Sequence, residues 1–317
     1  MGGARPVIGV GSTPKYRSLH LNRARGRMYQ RILIGIDFSD SSEESVRWAI
    51  SRFPTAEIVL FHAVERFTVP GYLRRELGEQ LDVLLEKRLD VQANLEAIAE
   101  SLGIEAEIRV GSGWTPQAIT TAAEELGSEL IVVGAHQQRA WPGDDTGDAC
   151  RAIVRKAQIP VLVWRPVRND TDKTVLAALS LRDDSAPVAE TAAAYADYFS
   201  ARLALLHAMP GTLQAYLRAV SSPAKVDETL GRIEAGARQD AVAQVPAELR
   251  ERLTVTVTVA RGRPIVTHIL NAAESENVDL IVIGKAHAPG LAGRVLIGGI
   301  TSQIITGANC SVLTVPL

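Results

Sequence analysis

The hydrophobic positions of this chain fall into short unbroken runs, "RILIGI" (31–36), "LIVVG" (130–134) and "PVLVW" (160–164) among them, separated by polar turns and amphipathic stretches. A strand with one wet face alternates polar and apolar residues, whereas a strand covered on both faces of a parallel sheet is apolar throughout. The runs therefore predict buried parallel strands with helices on both sides of the sheet. Residues 72–102, "YLRRELGEQLDVLLEKRLDVQANLEAIAESL", place apolar side chains at helical spacing and predict a long helical segment. Its counterpart is expected from about 212 to 245.

That counterpart exists because the pattern occurs twice. "RILIGIDFSDSSEESVRWAI" (31–50) resembles "TVLAALSLRDDSAPVAETAA" (174–193), and "AEIVLFHAVE" (56–65) pairs with "ARLALLHAMP" (201–210). "SELIVVGAH" pairs with "VDLIVIGKAH", and "IPVLVWRP" (159–166) with "CSVLTVPL" (310–317). The offset is roughly 145–150 residues, far above the ~20–50 of a solenoid, so it marks a duplicated domain. Each half reads strand, helix, strand, helical segment, strand, helix, strand, loop, helix, strand. Right-handed crossovers turn that order into a doubly wound, five-stranded parallel sheet. The expected fold is α/β, with two tandem Rossmann-like domains at 30–168 and 174–317, joined through the polar "RPVRNDTDK" near Asn169. Residues 1–29 stand apart. The first 27 are Arg-rich with no acidic residue and lack both periodicity and a secretory apolar core, so they read as a disordered extension, or as an upstream start before Met28.

Composition changes this picture mainly by exclusion. A net charge of −2 leaves no basic field for nucleic acid, and 5% aromatics leaves little for base-stacking platforms. No apolar run approaches the ~20 residues of a membrane span. The two cysteines, Cys150 and Cys310, form no CxxC pair and read as buried thiols. The expectation is a cytoplasmic protein with no nucleic-acid partner. No GxSxG, HExxH or kinase motif is present, so nothing points to covalent or metal-assisted catalysis.

Candidate chemistry concentrates after the fourth strand of each half. "GAHQQRAWPGDDTGDA" (134–149) leaves a strand and ends where a helix begins, the usual place for phosphate in an α/β fold. Yet it carries Asp144, Asp145 and Asp148 and has no cation after Arg139. His136, these aspartates and Cys150 crowd together, but local crowding is not convergent ligand geometry, and no metal is expected. The second-half loop, "GKAHAPGLAGRVLIGGITSQ", is richer in glycine and carries Lys285 and Arg294.

With these motifs the chain resembles the universal stress protein family in its tandem form, over essentially all of 30–317. The resemblance implies a strand-1 aspartate at the base end of ATP, and a loop Gly-x-x-Gly-(nine residues)-Gly-Ser/Thr at ribose and phosphates. In the first half it assigns Asp37, followed by Ser39, to the base end, and Gly134 and Gly147 to the loop. Gln137 and Asp148 break the pattern, and a carboxylate beside a triphosphate costs several kcal/mol, so this site is expected to have lost ATP. In the second half it assigns Gly284, Lys285, Gly298, Gly299, Ile300 and Thr301 to phosphate. Ser180 stands where the aspartate belongs and Arg182 follows, so recognition of the base is weakened. The backbone at Ala63 and Ala208 would face the base, while the adjacent His62 and His207 read as packing residues. His136 and His287 face phosphate or solvent. The last strands are expected to pair across a pseudo-two-fold, as in the family's dimers, so that one chain mimics a dimer, with further homodimerisation left open.

The resemblance therefore implies a non-catalytic stress-response protein that binds ATP or a related nucleotide in the second domain, slow hydrolysis being left open. The alternatives are a nucleotide-free protein-interaction factor, or a binder of a small apolar or lipid-like ligand.

Overall fold

A computed structural model describes residues 27–64, 75–76, 90–135, 146–166, 173–182, 184–285, 288–289, 295–296 and 299–317. The unbroken apolar runs become the inner strands, whereas the two edge strands, Ala106–Ser112 and Val255–Ala260, alternate. In the first half the strands are β1 (Arg31–Gly35), β2 (Glu57–Val64), β3 (Ala106–Ser112), β4 (Leu130–Gly134) and β5 (Val161–Trp164). The second half supplies β6 (Thr174–Leu179), β7 (Arg202–Ala208), β8 (Val255–Ala260), β9 (Leu280–Lys285) and β12 (Ser311–Pro316). A small separate hairpin, β10 (Ala288–Pro289) with β11 (Val295–Leu296), lies in the second-half loop.

The helices are α1 (Asp40–Arg52), α2 (Val91–Leu102), α3 (Thr115–Glu125), α4 (Thr146–Lys156), α5 (Ala186–Tyr198), α6 (Gly211–Val220), α7 (Pro223–Ala243), α8 (Ala247–Arg250), α9 (Ile265–Ser275) and α10 (Gly299–Gly307). Of the expected helical segment 72–102, α2 and residues 75–76 lie within the described residues. Its counterpart is two helices rather than one. Ser222 is extended (φ −67°, ψ 155°) and Pro223 opens α7, because proline drives the residue before it out of the helical region.

Apart from the β10–β11 hairpin, every strand pair within each half is parallel. The two halves do not form separate sheets. β5 pairs antiparallel with β12, with Leu162 opposite Leu313, giving one ten-stranded sheet ordered β3-β2-β1-β4-β5-β12-β9-β6-β7-β8. Alternate residues feed two core faces. Ile32, Leu60, Val132, Leu203, Val282 and Leu313 face α1, α2, α5 and α7, and Leu33, Val59, Ile131, Ala204, Ile281 and Val312 face α3, α4, α9 and α10.

The seam between halves is sealed on the first face by rings. Tyr29 and Phe53, the latter backed by Trp48, meet Tyr195, Tyr198 and Phe199, with Phe53 stacked on Tyr198 at 5.8 Å. The hydroxyls of Tyr29 and Tyr195 share a 2.8 Å hydrogen bond, and the Tyr198 hydroxyl donates to the last carbonyl of α1, at Arg52. Met28 and Tyr29 are both buried, so the folded chain takes in two residues of the stretch read as an extension.

Candidate functional site

In an open α/β sheet, ligands sit beyond the carboxyl ends of the strands where the order reverses. That point lies between β1 and β4 in the first half and between β6 and β9 in the second. Both crossovers leave the sheet through the same turn. Phe38 (φ 61°) and Leu181 (φ 55°) hold the left-handed conformation, which costs a non-glycine residue energy and persists only where its surroundings impose it. In the first half the Asp37 carboxylate accepts from the Ser39 N–H at 3.0 Å and the Ser39 hydroxyl at 2.5 Å. Ser39 in turn caps α1 by accepting from the Ser42 N–H. The second half keeps a weaker version, in which the Ser180 hydroxyl oxygen accepts from the Arg182 N–H at 3.3 Å.

The histidines behave as a matched pair. His62 Nδ1–H donates to the Ile36 carbonyl at 2.7 Å, and His207 Nδ1–H to the Leu179 carbonyl at 3.0 Å. Each ties the end of the second strand of its half to the end of the first, which is a packing task. Phe38 lies over the His62 ring, centroids 4.8 Å apart. Ala63 and Ala208 are buried one residue further along.

The strand-end glycines are explained by close packing. A Cβ on Gly134 would stand 2.9 Å from the Ser41 carbonyl oxygen. On Gly284 it would stand 2.6 Å from Leu317 Cδ1 and 3.2 Å from Val188 Cγ2. The carbonyls of the same two glycines receive the starts of the last helices, from Cys150 Sγ at 3.7 Å and from the Thr301 hydroxyl at 3.3 Å. Cys150 and Thr301 are thus equivalent, which sets Asp148 in the first turn of α4 opposite Gly299 in α10. Gly147 also lies in that first turn of α4. Burial pushes both thiols up to about 11, with the nearby Arg165 pulling the other way, so neither is a thiolate nucleophile near neutral pH.

One expected phosphate ligand is placed elsewhere. Lys285 is 1% exposed, and its ammonium donates to the Ala157 carbonyl just past α4, in the other half. Strand alternation is the reason. Gly284 faces α5, so the next residue turns to the opposite face and into the seam. Burial lowers the lysine to about 8. The alternation of "LIVIGK" held the signal, since it sets Lys285 on the face of Ile281 and Ile283. Sequence reasoning also passed over Arg165, which is buried and donates to the Ile305 carbonyl at 2.5 Å and the Cys310 carbonyl at 3.4 Å.

At the α10 end, Gly299 and Ile300 are exposed, while Thr301 is buried on its bond to Gly284. Gly298, Arg294, His287, His136, Gln137, Asp144, Asp145 and the side chain of Asp148 lie outside the described residues. Among the described residues no group of three or more metal-ligating side chains converges, and no helix is long and apolar enough to cross a membrane.

The sequence matches the universal stress protein family over residues 28–165 and again over 172–316. It is 26% identical over 305 residues to a universal stress protein of Mycobacterium tuberculosis, covering 89% of this chain and 95% of that one. Among solved structures it resembles a universal stress protein of Archaeoglobus fulgidus, with TM-score 0.59 at 16% identity over 92% of this chain and 97% of the other. A second, from Pseudomonas aeruginosa, gives TM-score 0.54 at 18% identity over 91% and 93%. Two family matches in one chain, carried by two copies of the same strand order and crossover turn, make this protein a member of the universal stress protein family in its tandem two-domain form.

Proposed function

We propose that this tandem universal stress protein acts by binding rather than by catalysis, in the cytoplasm, and that it takes a nucleotide phosphate-first at the start of α10. The observation that supports the reading is a difference between the halves at one position. Where the first half has Asp148, the second has Gly299, exposed, with only the Gln303 amide 3.7 Å from a Cβ placed there. The first N–H groups of a helix lack intrahelical partners, and together with the helix dipole they favour an anion. An aspartate at the matching place opposes one.

The ligand set is narrower than the sequence suggested. With the Lys285 ammonium in the seam, phosphate is left to the main-chain amides of Gly299, Ile300 and Thr301 among the described residues. Ser180 is neutral and shorter than the aspartate it replaces, so discrimination between bases is weak. Binding is then phosphate-dominated, with AMP weaker than ATP and ATP close to GTP. Calorimetry with wild type, Gly299→Asp and Gly299→Ala tests this. ATP heat should survive in the alanine variant and vanish in the aspartate variant, and equal heats from all three, or none, sink the reading.

A second reading is a nucleotide-free interaction factor. It is favoured by the packing that accounts for Gly134, Gly284 and Lys285 without any ligand. Native mass spectrometry of freshly purified protein separates the two, a retained nucleotide mass supporting the first.

A further inference from the structure

The seam holds two buried cations that break the symmetry of the repeat. Arg165 is 8% exposed and Lys285 1%. By the repeat, Arg165 matches Pro316, and Lys285 matches Ala135. Neither meets a carboxylate among the described residues. An unpaired buried charge is expensive to keep, so its bonds should answer for it.

Those bonds all cross the seam, and they end in the same kind of place. Arg165, just past β5 of the first half, donates to Ile305 in the last turn of α10 and to Cys310 before β12. Lys285, ending β9 of the second half, donates to Ala157 at the close of α4. The last carbonyls of a helix lack intrahelical partners and carry the negative end of its dipole, so a cation there is favourable. The closing ends of α10 and α4 thus each receive one cation from the opposite half, supplied from just past β5 for α10 and from β9 for α4. Ser311 reinforces the first end, its hydroxyl accepting from the Arg165 N–H at 3.0 Å and donating to the Arg165 carbonyl at 3.2 Å.

We propose that Arg165 and Lys285 are reciprocal caps through which each half holds in place the last helix of the other, α10 and α4, the helices whose first turns bound the two crevices. The arrangement makes the pair of crevices a property of the joined molecule, whatever occupies them.

Hydrogen exchange with peptide-level mass spectrometry on the full chain tests this. Arg165→Met should speed exchange about tenfold in the closing turn of α10, and Lys285→Met in the closing turn of α4, each in the half that was not mutated. Leu95→Ala, a core truncation far from the seam, gives the pattern of general weakening. Changes confined to the mutated half, no change, or the pattern of Leu95→Ala would overturn the proposal. Should a methionine variant not fold, Arg165→Gln and Lys285→Gln, which keep a donor but lose the charge, are read by the same crossed pattern.

Discussion

Among single residues, two kinds of glycine separate. Gly134 is glycine because a helix touches it, with the Ser41 carbonyl oxygen 2.9 Å from any Cβ. Gly299 is glycine with nothing nearer to a Cβ than the Gln303 amide at 3.7 Å. Gly134→Ala should therefore cost about 1–3 kcal/mol, the range for overpacking a close contact. Gly299→Ala should change stability by less than about 1 kcal/mol, since glycine has no packing reason there. Urea unfolding of both variants checks this, and equal losses would mean that Gly299 is held by a contact as Gly134 is. At this scale the sequence was legible in part. Asp37 and Ser39 were placed after the first strand, and His62 and His207 were read as packing residues, both through the family resemblance. Lys285 was misread as a phosphate ligand because its destination, Ala157, is 128 positions away in the chain.

At the level of elements, β9 brings a titratable group where titration has a readable sign. Lys285 falls to about 8 in the folded protein from an ordinary 10.5, with burial as the cause. Between those values the unfolded chain binds the proton and the folded one has released it, so stability rises with pH across the window. The cost of burying the charge is fully present below about 8 and relieved toward 10.5. Lys285→Met should remove that rise, an effect on the order of 1–3 kcal/mol. Comparing urea midpoints of both proteins near pH 7.5 and pH 9.5 gives the answer. Parallel curves would show that the amine keeps its proton in the seam across this window, as it does in the unfolded chain. The inner strands were readable as unbroken apolar runs, since burial on both faces leaves no polar alternation. The break between α6 and α7 was not drawn, although Pro223 and the serines before it carry the signal.

For the whole molecule, the β5–β12 pairing and the six-ring cluster make two homologous halves into one sheet. A chain cut to residues 27–166 would bare the β5 edge together with Tyr29, Trp48 and Phe53. Unpaired edges and exposed apolar patches promote association. Size-exclusion chromatography with light scattering should find a dimer or larger species, and a well-behaved monomer of native helix and strand content would count against the seam as the stabilising surface.

Apolar runs without alternation, turn residues between them and their recurrence along the chain were enough to assign buried parallel strands, the crossover helices and the duplication, because each depends on neighbours within a few residues. The pairing of β5 with β12 was also within reach, since both are apolar terminal strands of equivalent repeats. The interior of that seam was not. Arg165 meets Ile305 and Lys285 meets Ala157 only once ten strands are laid in order. Side-chain destination across a sheet depends on which face a residue takes and which helix lies there, and both are long-range properties of the folded chain.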